Sequence, residues 1–515
     1  MARIGKTYPV PKHLQQRQYA AAKITRLTGD WMPIDHNINQ LTRTSLPLMR
    51  RRVRQLVRDF PYFNRAVNIL INFTVGTGTS FQSRVINPNW KPGSTEKKFD
   101  RVTCQKIEDS VAWAMEELDA SGNRHGSELE RMAKREDIEA GEYFFVKRAL
   151  KDKNRYLPYA LQLFEAEWLT DSGAVPQGKN LVDQGVEYDS TTGRVVAYHL
   201  TDPNSWGKTI RVEQQYVLHD FAPLRAGQLR GVSPFASGVL IAHDLQDYLD
   251  ATIDTAKLAS KYLALITTDD ADAFQANRSM EADPENPLKK IDSLENAIVD
   301  YLRPGESVKF PSNNSVGSTF DPFTRFILQM LAISTDTTFS LLSGNYSDVN
   351  YTTLRGERQD LRTMFAPHHH RHIQHFCRPV VRDIIDQAVL SGKLDLPGYY
   401  KNPRLYQRCV FIPPGQEPID PLKESKANRD DMGALLRSPQ EIAAKRGRDI
   451  EEVLDEHQEF AEMLIERGLI IDIGNTALAN NPAALGATDN TNSLKSLISR
   501  AVDDALDRHK LLAEE

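Results

Sequence analysis

Residues 236–262 read ASGVLIAHDLQDYLDATIDTAKLASKY, with no glycine after Gly238 and no proline. Ile241, Leu245, Tyr248, Leu249, Ile253 and Ala256 share one arc of a helical wheel. Asp244, Asp247, Asp250 and Asp254 share the opposite arc. The stretch therefore predicts a long amphipathic helix with an acidic stripe. On an ordinary monomer such a stripe is a solvated face. Like charges at this spacing repel by a few tenths of a kcal/mol per pair (about 0.2–0.5), so the stripe carries a small cost that asks for a use.

Towards the C-terminus, residues 263–318 form a polar, proline-interrupted insertion. It holds ten acids and four bases between Asp269 and Glu306. FDPFTRFILQMLAISTDTTFSLLSG then predicts a second long helix over 319–343. The Asn-, Ser-, Thr- and Tyr-rich stretch 344–357 reads as a polar loop. A third long helix is expected from about Arg358 to Leu390, irregular near Pro367 and Pro379, where ring and missing N–H disturb the ladder. FIPPGQEPIDPLKE is an extended connection. Residues 420–470 read as a short helical bundle with Ser438 as an N-cap. The Gly474–Thr491 linker then precedes an amphipathic helix, SLKSLISRAVDDALDRHKLL.

Towards the N-terminus the expected class is α+β. FNRAVNILINFTVG reads as a helix closed by Gly76 and Gly78, and another helix is expected over about Thr95–Leu118. GEYFFVKRAL, LPYALQLFEAEWL and VEQQYVLHDF read as strands, and GVEYDSTTGRVVAYHLT as a hairpin. Residues 1–60 carry 12 Lys/Arg against 3 Asp/Glu. Residues 1–48 read as a basic arm, with helix starting near Leu46. In MRRRVRQLVRDF, Arg51, Arg54 and Arg58 share one face. That face is either solvated or a contact for a polyanion or an acidic neighbour.

The 515 residues suffice for two to four domains of roughly 100–200 residues each. With 40% apolar and 26% charged residues, a wholly disordered or collagen-like chain is excluded. A net charge of -5 disfavours a polybasic nucleic-acid binder. Cys104, Cys377 and Cys409 are too scattered for a disulfide framework or a zinc ribbon. Neither a secretory signal nor a membrane span is expected.

Chemical motifs are weighed and set aside. SWGKTI ends like a phosphate-binding loop, but Asp202 stands where the pattern needs glycine, and strands flank it. VGTGTS follows a helix and lacks the third glycine of a dinucleotide fingerprint. GVSPF lacks the second glycine of a nucleophile elbow. In HHHRHIQH, His368 and His372 are i, i+4 and His372 and His375 are i, i+3, so one face has ligand spacing. No acid lies within the cluster, and it reads as a polar helix face or subunit contact titrating near pH 6–7. No catalytic, cofactor or metal site is assigned.

FNRAVNILINFTVGTG, AGEYFFVKRAL, HDFAPLRAGQLRGVSPF, FILQMLAISTDTTFSLLSGNYSDVNYTTLRGERQD and IDPLKESKANRDDMGALLRSPQEIAAKRGRDIEEVLDEHQEF together carry a resemblance. In this order and spacing, over roughly residues 46–465, the chain resembles the lambda-like portal proteins of tailed bacteriophages. That resemblance implies an α+β portal fold of α/β wing, two-helix stem, small α/β clip, long wing helix and α-helical crown. It maps 49–235 to the wing, 236–262 and 319–343 to the stem helices, and 263–318 to the clip. It maps 344–357 to the tunnel loop, 358–412 to the long wing helix and its return, and 413–473 to the crown, with 474–515 as linker and C-terminal helix.

It further implies a dodecameric ring at one capsid vertex of the virion, assembled in the host cytoplasm, through which double-stranded DNA is packaged and ejected. The implied partners are the major capsid protein, the terminase large subunit and a head-completion or adaptor protein, with no membrane and no cofactor. Asn345, Tyr346, Asn350, Tyr351, Thr352 and Arg355 become the channel-facing loop. Asp283, Glu285, Asp292 and Glu295 become the acidic clip surface. The competing readings are a terminase-like packaging enzyme, against which the broken GKT motif speaks, and another head–tail ring component.

Overall fold

The computed structural model describes residues 36–91, 98–201, 207–261, 265–268, 306–309, 320–347, 349–415 and 420–466. The arm up to residue 35, the clip acids Asp283, Glu285, Asp292 and Glu295, and the C-terminal linker and helix lie outside them. Residues up to Lys426 form one compact unit and those from Ala427 a second. Helix and sheet are mixed, as an α+β reading requires.

Helix α1 spans Ile38–Asp59 and so begins well before Leu46. Its start is a capping box: Asn37 Oδ1 accepts from Asn39 N, and Gln40 Oε1 accepts from Asn37 N. The helix runs through Pro47 and buries Ile38, Leu46, Val53 and Val57 along one face. Helix α2 (Pro61–Thr74) starts on Pro61, whose missing N–H costs nothing in a first turn. Strand β1 (Ser80–Ser83) follows, then α3 (Arg101–Glu116) with Asp100 as its cap, starting later than Thr95. Helix α4 (Gly126–Glu139) leads into β2 (Glu142–Ala149) and β3 (Tyr159–Phe164).

The expected hairpin is present as β5 (Val186–Tyr188) and β6 (Val195–Thr201), and a short strand before it, β4 (Leu181–Asp183), pairs with β5. The segment read as one strand, VEQQYVLHDF, is split by a 3₁₀ turn into the end of β7 (Thr209–Glu213) and β8 (Val217–Phe221). Two antiparallel sheets result, ordered β3–β2–β8 and β4–β5–β6–β7. Alternation along β2 separates the cores. Tyr143 and Phe145 face one made with α3 and α4, while Phe144 and Val146 face the other sheet.

Helix α5 (Val239–Lys261) is the long helix expected over 236–262. Strands β9 (Leu265–Thr268) and β10 (Glu306–Lys309) pair antiparallel and close the neck of the insertion. Residues 319–343 are two helices instead of one: α6 (Phe320–Ser334) and α7 (Phe339–Ser343). The break has a local cause. Thr335 Oγ1 donates back to Leu331 O, Asp336 sits at φ 51°, and Thr338 caps α7. Hydroxyl bonds to the preceding turn satisfy the carbonyls that the helix would otherwise use.

The polar loop ends at Asn350, and helix α8 (Tyr351–His372) absorbs the rest of 344–357. Asn350 Oδ1 accepts from Thr353 N at 2.8 Å, which fixes the start. Pro367 lies inside α8 without ending it. The irregularity is a π turn, Ile373–Cys377, before α9 (Arg378–Leu390). Pro379 has no N–H to give to the carbonyl four residues back, and the wider turn accommodates that loss. Strand β11 (Cys409–Ile412) then returns to pair with β1.

A third core joins α1, α2, α6, α7 and α8 to the beginning of α5, around Phe63, Leu70, Phe235, Leu331 and Phe365. Burying each such side chain contributes roughly 1.5–3 kcal/mol. In the closing region α10 (Pro421–Gly433), α11 (Pro439–Lys445) and α12 (Ile450–Glu466) follow one another. Ser438 Oγ accepts from Glu441 N, as its N-cap reading requires.

Candidate functional site

The candidate site is built on the α5–α6 pair and the turn into α8. Gly238 lies against Ser334 at the end of α6, while Tyr248 stacks on Phe320 (centroids 5.8 Å apart) and meets Phe323 edge-on. The start of α5 therefore meets the end of α6, and the two run antiparallel. At Gly238 a Cβ would stand 2.4 Å from Ser334 Oγ, so the missing side chain permits the approach.

Val239, Ala242 and Leu245 are buried, whereas Asp244, Asp247, Asp250 and Asp254 are all exposed on the other arc. His243 Nδ1 lies 3.3 Å from Asp247, and Lys257 Nζ 3.1 Å from Asp254. The Lys257 ammonium relieves part of the repulsion at that end of the stripe. Ile253, placed on the apolar arc, is half exposed. On α6, Phe323, Phe326, Met330 and Ile333 form a second exposed stripe, and Ile333 is 78% accessible. Their i, i+3, i+7, i+10 spacing puts them on one face.

Beyond α7, Gly344 closes the helix in the left-handed region at φ 71°. Asn345 Oδ1 accepts from Ser347 N and Oγ, which sets the following bend. Asn345, Tyr346 and Asn350 are exposed on this short loop. Tyr351, Thr352 and Arg355 are exposed too, but on the first turns of α8. Lys423 Nζ stands over the Tyr351 ring at 5.3 Å. The loop is tethered from behind, where Arg65 Nε donates to Leu341 O and Ser340 Oγ to Glu357. Six residues assigned to one loop are thus divided between a loop and a helix end.

The basic face is also divided. Arg51 Nε donates to Pro47 O, and Arg58 forks onto Asp59. Arg54 turns inward, with Glu136 at 3.0 Å, Glu167 at 3.2 Å and Glu165 at 3.5 Å. It is spent within the chain. Burial pushes Glu136 up to about 7, with Arg54 opposing and Glu139, Glu167 and Glu165 reinforcing the rise.

The frame behind these elements rests on charges that the sequence reading passed over. Glu142, fully buried, receives Arg50 Nη2 at 2.5 Å, Arg230 Nη2 at 2.6 Å and Gly231 N at 2.8 Å. Burial opposes its ionisation, yet Arg230, Arg50 and His219 outweigh it and hold the carboxyl well below its usual range. Arg371 bridges Asp137 and Asp220 at 2.7 Å each. The signal for Arg50 was available: it falls in phase with Leu46, Val53 and Val57 on the apolar face of α1.

The histidine cluster differs from its expectation. Burial, reinforced by Lys134, pushes His368 down to about 4. His369 Nε2 meets Phe73 O at 2.7 Å, and His372 is buried against Glu130. Only part of the face is solvated, because α2 and α4 pack over the rest. Thr209 opens β7, so the GKT triplet leads into a strand.

Among the described residues no helix is long and apolar enough to cross a membrane. The family described as phage portal protein, lambda family, matches residues 25–368. The probable portal protein of Halomonas phage phiHAP-1 is 23% identical over 484 residues, spanning 90% of each chain. Portal protein B of Escherichia phage lambda is 18% identical over 459 residues, 82% of this chain and 85% of that one. Among solved structures, the neck of an empty gene transfer agent particle, computed with C6 symmetry, aligns over 78% of this chain and 93% of that one. Its TM-score is 0.39 at 14% identity. Phage portal proteins are structural components of the virion, and with two thirds of its length matched this chain belongs to their lambda family.

Proposed function

We propose that twelve copies of this chain close into a ring at one capsid vertex, and that its central channel conducts double-stranded DNA during packaging and ejection. In this reading residues 49–235, with the helix from α8 into α9 and its return, are the wing, and the α5–α6 pair is the stem. The β9–β10 neck leads to the clip, and α10–α12 belong to the crown. The clip receives the terminase large subunit during packaging and a head-completion or adaptor protein afterwards. The wing meets the major capsid protein. Ring assembly takes place in the host cytoplasm.

The observation that carries this reading is the pair of exposed stripes, one acidic and one apolar, on adjacent stem helices. Phe323, Phe326, Met330 and Ile333 leave an apolar face that one chain does not cover. A second copy covers it in a ring, since large exposed apolar faces mark association surfaces. The acidic stripe on α5 is the opposite case: it favours solvent and repels phosphate. The 344–350 loop and the first turns of α8 supply amide and phenol groups able to touch a DNA backbone without gripping it.

Electron micrographs of the purified full chain test the ring. Closed rings with a central hole wide enough for a duplex of about 20 Å are expected. Phe326→Asp should leave a folded chain that no longer closes rings, because it places a charge in a face that must be desolvated. Wild-type chain that remains monomeric at packaging concentrations, or rings that Phe326→Asp leaves intact, would overturn the respective part of the reading.

A further inference from the structure

His372, Cys377 and Glu130 come from distant parts of the sequence and meet in the wing. All three are buried, and their ligating atoms lie within 4.8 Å of one another. His372 Nε2 is 3.1 Å from Glu130 Oε2, and the Cys377 thiol donates to the same oxygen at 3.8 Å. Thr79 N also donates to Glu130 Oε2, at 3.2 Å. We propose that this cluster is a site for a single divalent transition metal of zinc type, held by one imidazole nitrogen, one thiolate and one carboxylate.

The backbone makes the juxtaposition possible. Five residues along an α-helix amount to about 1.4 turns, which would leave His372 and Cys377 roughly 140° apart. The π turn Ile373–Cys377 widens that interval to about one turn and brings both side chains towards α4. The His372 ring lies nearly parallel to that of Phe376 (interplanar angle 7°), which fixes its plane. Pro379 accounts for why a wide turn is tolerated here, but not for the residues placed at its two ends.

The donor set fits the metal. Tetrahedral zinc with nitrogen, oxygen and sulfur ligands needs donor–donor distances of about 3.3–3.7 Å, so an edge at the 4.8 Å limit must close by roughly 1.1–1.5 Å. Nitrogen, oxygen and thiolate sulfur together suit zinc or cobalt better than calcium or magnesium. Glu130 and Cys377 also line a cavity of about 380 Å³, shared with Glu108, His125 and Ser127. It gives access to the site and room for water as a fourth ligand. On binding, the Cys377 thiol gives up its proton to solvent as the metal–sulfur bond forms. Because binding releases that proton, occupancy should fall as pH is lowered. The bound ion would tie α4 to the π turn, a link between the wing sheet and the long helix. Neither this geometry nor the donor set depends on the portal reading.

The experiment is a cobalt(II) titration of the full-length chain, reduced and freed of metal with chelator. One cobalt per chain is expected, with a near-ultraviolet thiolate-to-metal band and intense visible bands of tetrahedral form, both removed by zinc(II). Cys377→Ser should abolish the thiolate band, and His372→Gln should weaken binding at least 10-fold. Cys409→Ser should leave both unchanged. Alkylation of the wild-type chain supplies a readout free of folding defects: zinc should protect the peptide containing Cys377 and not that containing Cys409. Absence of the thiolate band in folded wild type, its survival in Cys377→Ser, or alkylation of Cys377 indifferent to zinc would each overturn the site.

Discussion

Glu142 shows what the fold asks of single residues. Two guanidinium groups and a backbone amide converge on one carboxylate that has no contact with water. Removing its charge leaves Arg50 and Arg230 buried without an anion, a loss of about 3–5 kcal/mol. Glu142→Gln should therefore lower the urea midpoint sharply, whereas Arg58→Gln at the exposed Asp59 pair should barely move it. Glu136 makes the opposite case. Its native carboxyl titrates near 7, against 4.5 when unperturbed. Between those values the folded chain holds a proton that the unfolded chain has released, so stability falls as pH rises through the window. The shift corresponds to roughly 3 kcal/mol at most. Glu136→Gln should flatten that slope in thermal unfolding between pH 5 and 8, and be the more stable form at pH 8. Neither role is legible from composition. Arg50 was legible from its phase among apolar residues, but Glu142 sits in a strand whose neighbours are Gly141 and Tyr143, and nothing local distinguishes it from a surface acid.

At the level of elements, long amphipathic stretches were readable and their ends were not. The α5 period and the β5–β6 hairpin follow directly from residue pattern, since packing reinforces both. The break between α6 and α7 hides inside a continuous apolar pattern, and only the Thr335–Thr338 hydroxyls betray it. Helix α8 begins in polar sequence, where Asn350 was the available signal and the absence of an apolar stripe outweighed it. Close approach of backbones is legible only afterwards. A Cβ on Gly231 would stand 2.0 Å from Gly141 O, and one on Gly141 2.3 Å from the Val232 carbonyl carbon. These glycines let the start of β2 pass the segment that leads into α5, and Gly231 N reaches Glu142 only because of it. Gly231→Ala should cost about 1–3 kcal/mol by overpacking. It should also loosen the Glu142 cluster, read as faster amide exchange at Gly141–Phe144, while Gly193→Ala, at an open turn, should leave those amides alone.

For the whole molecule, behaviour towards DNA turns on where charge is placed. A net of -5 describes a weakly acidic chain, yet the α5 stripe concentrates four carboxylates on one exposed arc. Lys257 compensates one end of that arc at Asp254, which leaves Asp244, Asp247 and Asp250 as its most negative part. In a ring of twelve copies with this arc towards the lumen, the duplex meets a band of repulsion and forms no lasting phosphate contacts. Each lysine placed there would instead release counterions from DNA, and every phosphate contact adds about 0.9 to the slope of log affinity against log salt. Replacing Asp247, Asp250 and Asp254 by Lys should leave the fold intact, since these side chains are exposed, and ring formation too, since the ring contact is assigned to the apolar face of α6. The variant rings should bind linear duplex more tightly, with a steeper salt slope, and package it more slowly, whereas Asp→Asn at the same positions should change ring charge with little gain in affinity. Variant Lys rings that package at the wild-type rate and show no added salt slope would place the stripe on the outside of the stem. The repulsive lining would then have to come from the loop and the first turns of α8, where Arg355 makes it a poor candidate.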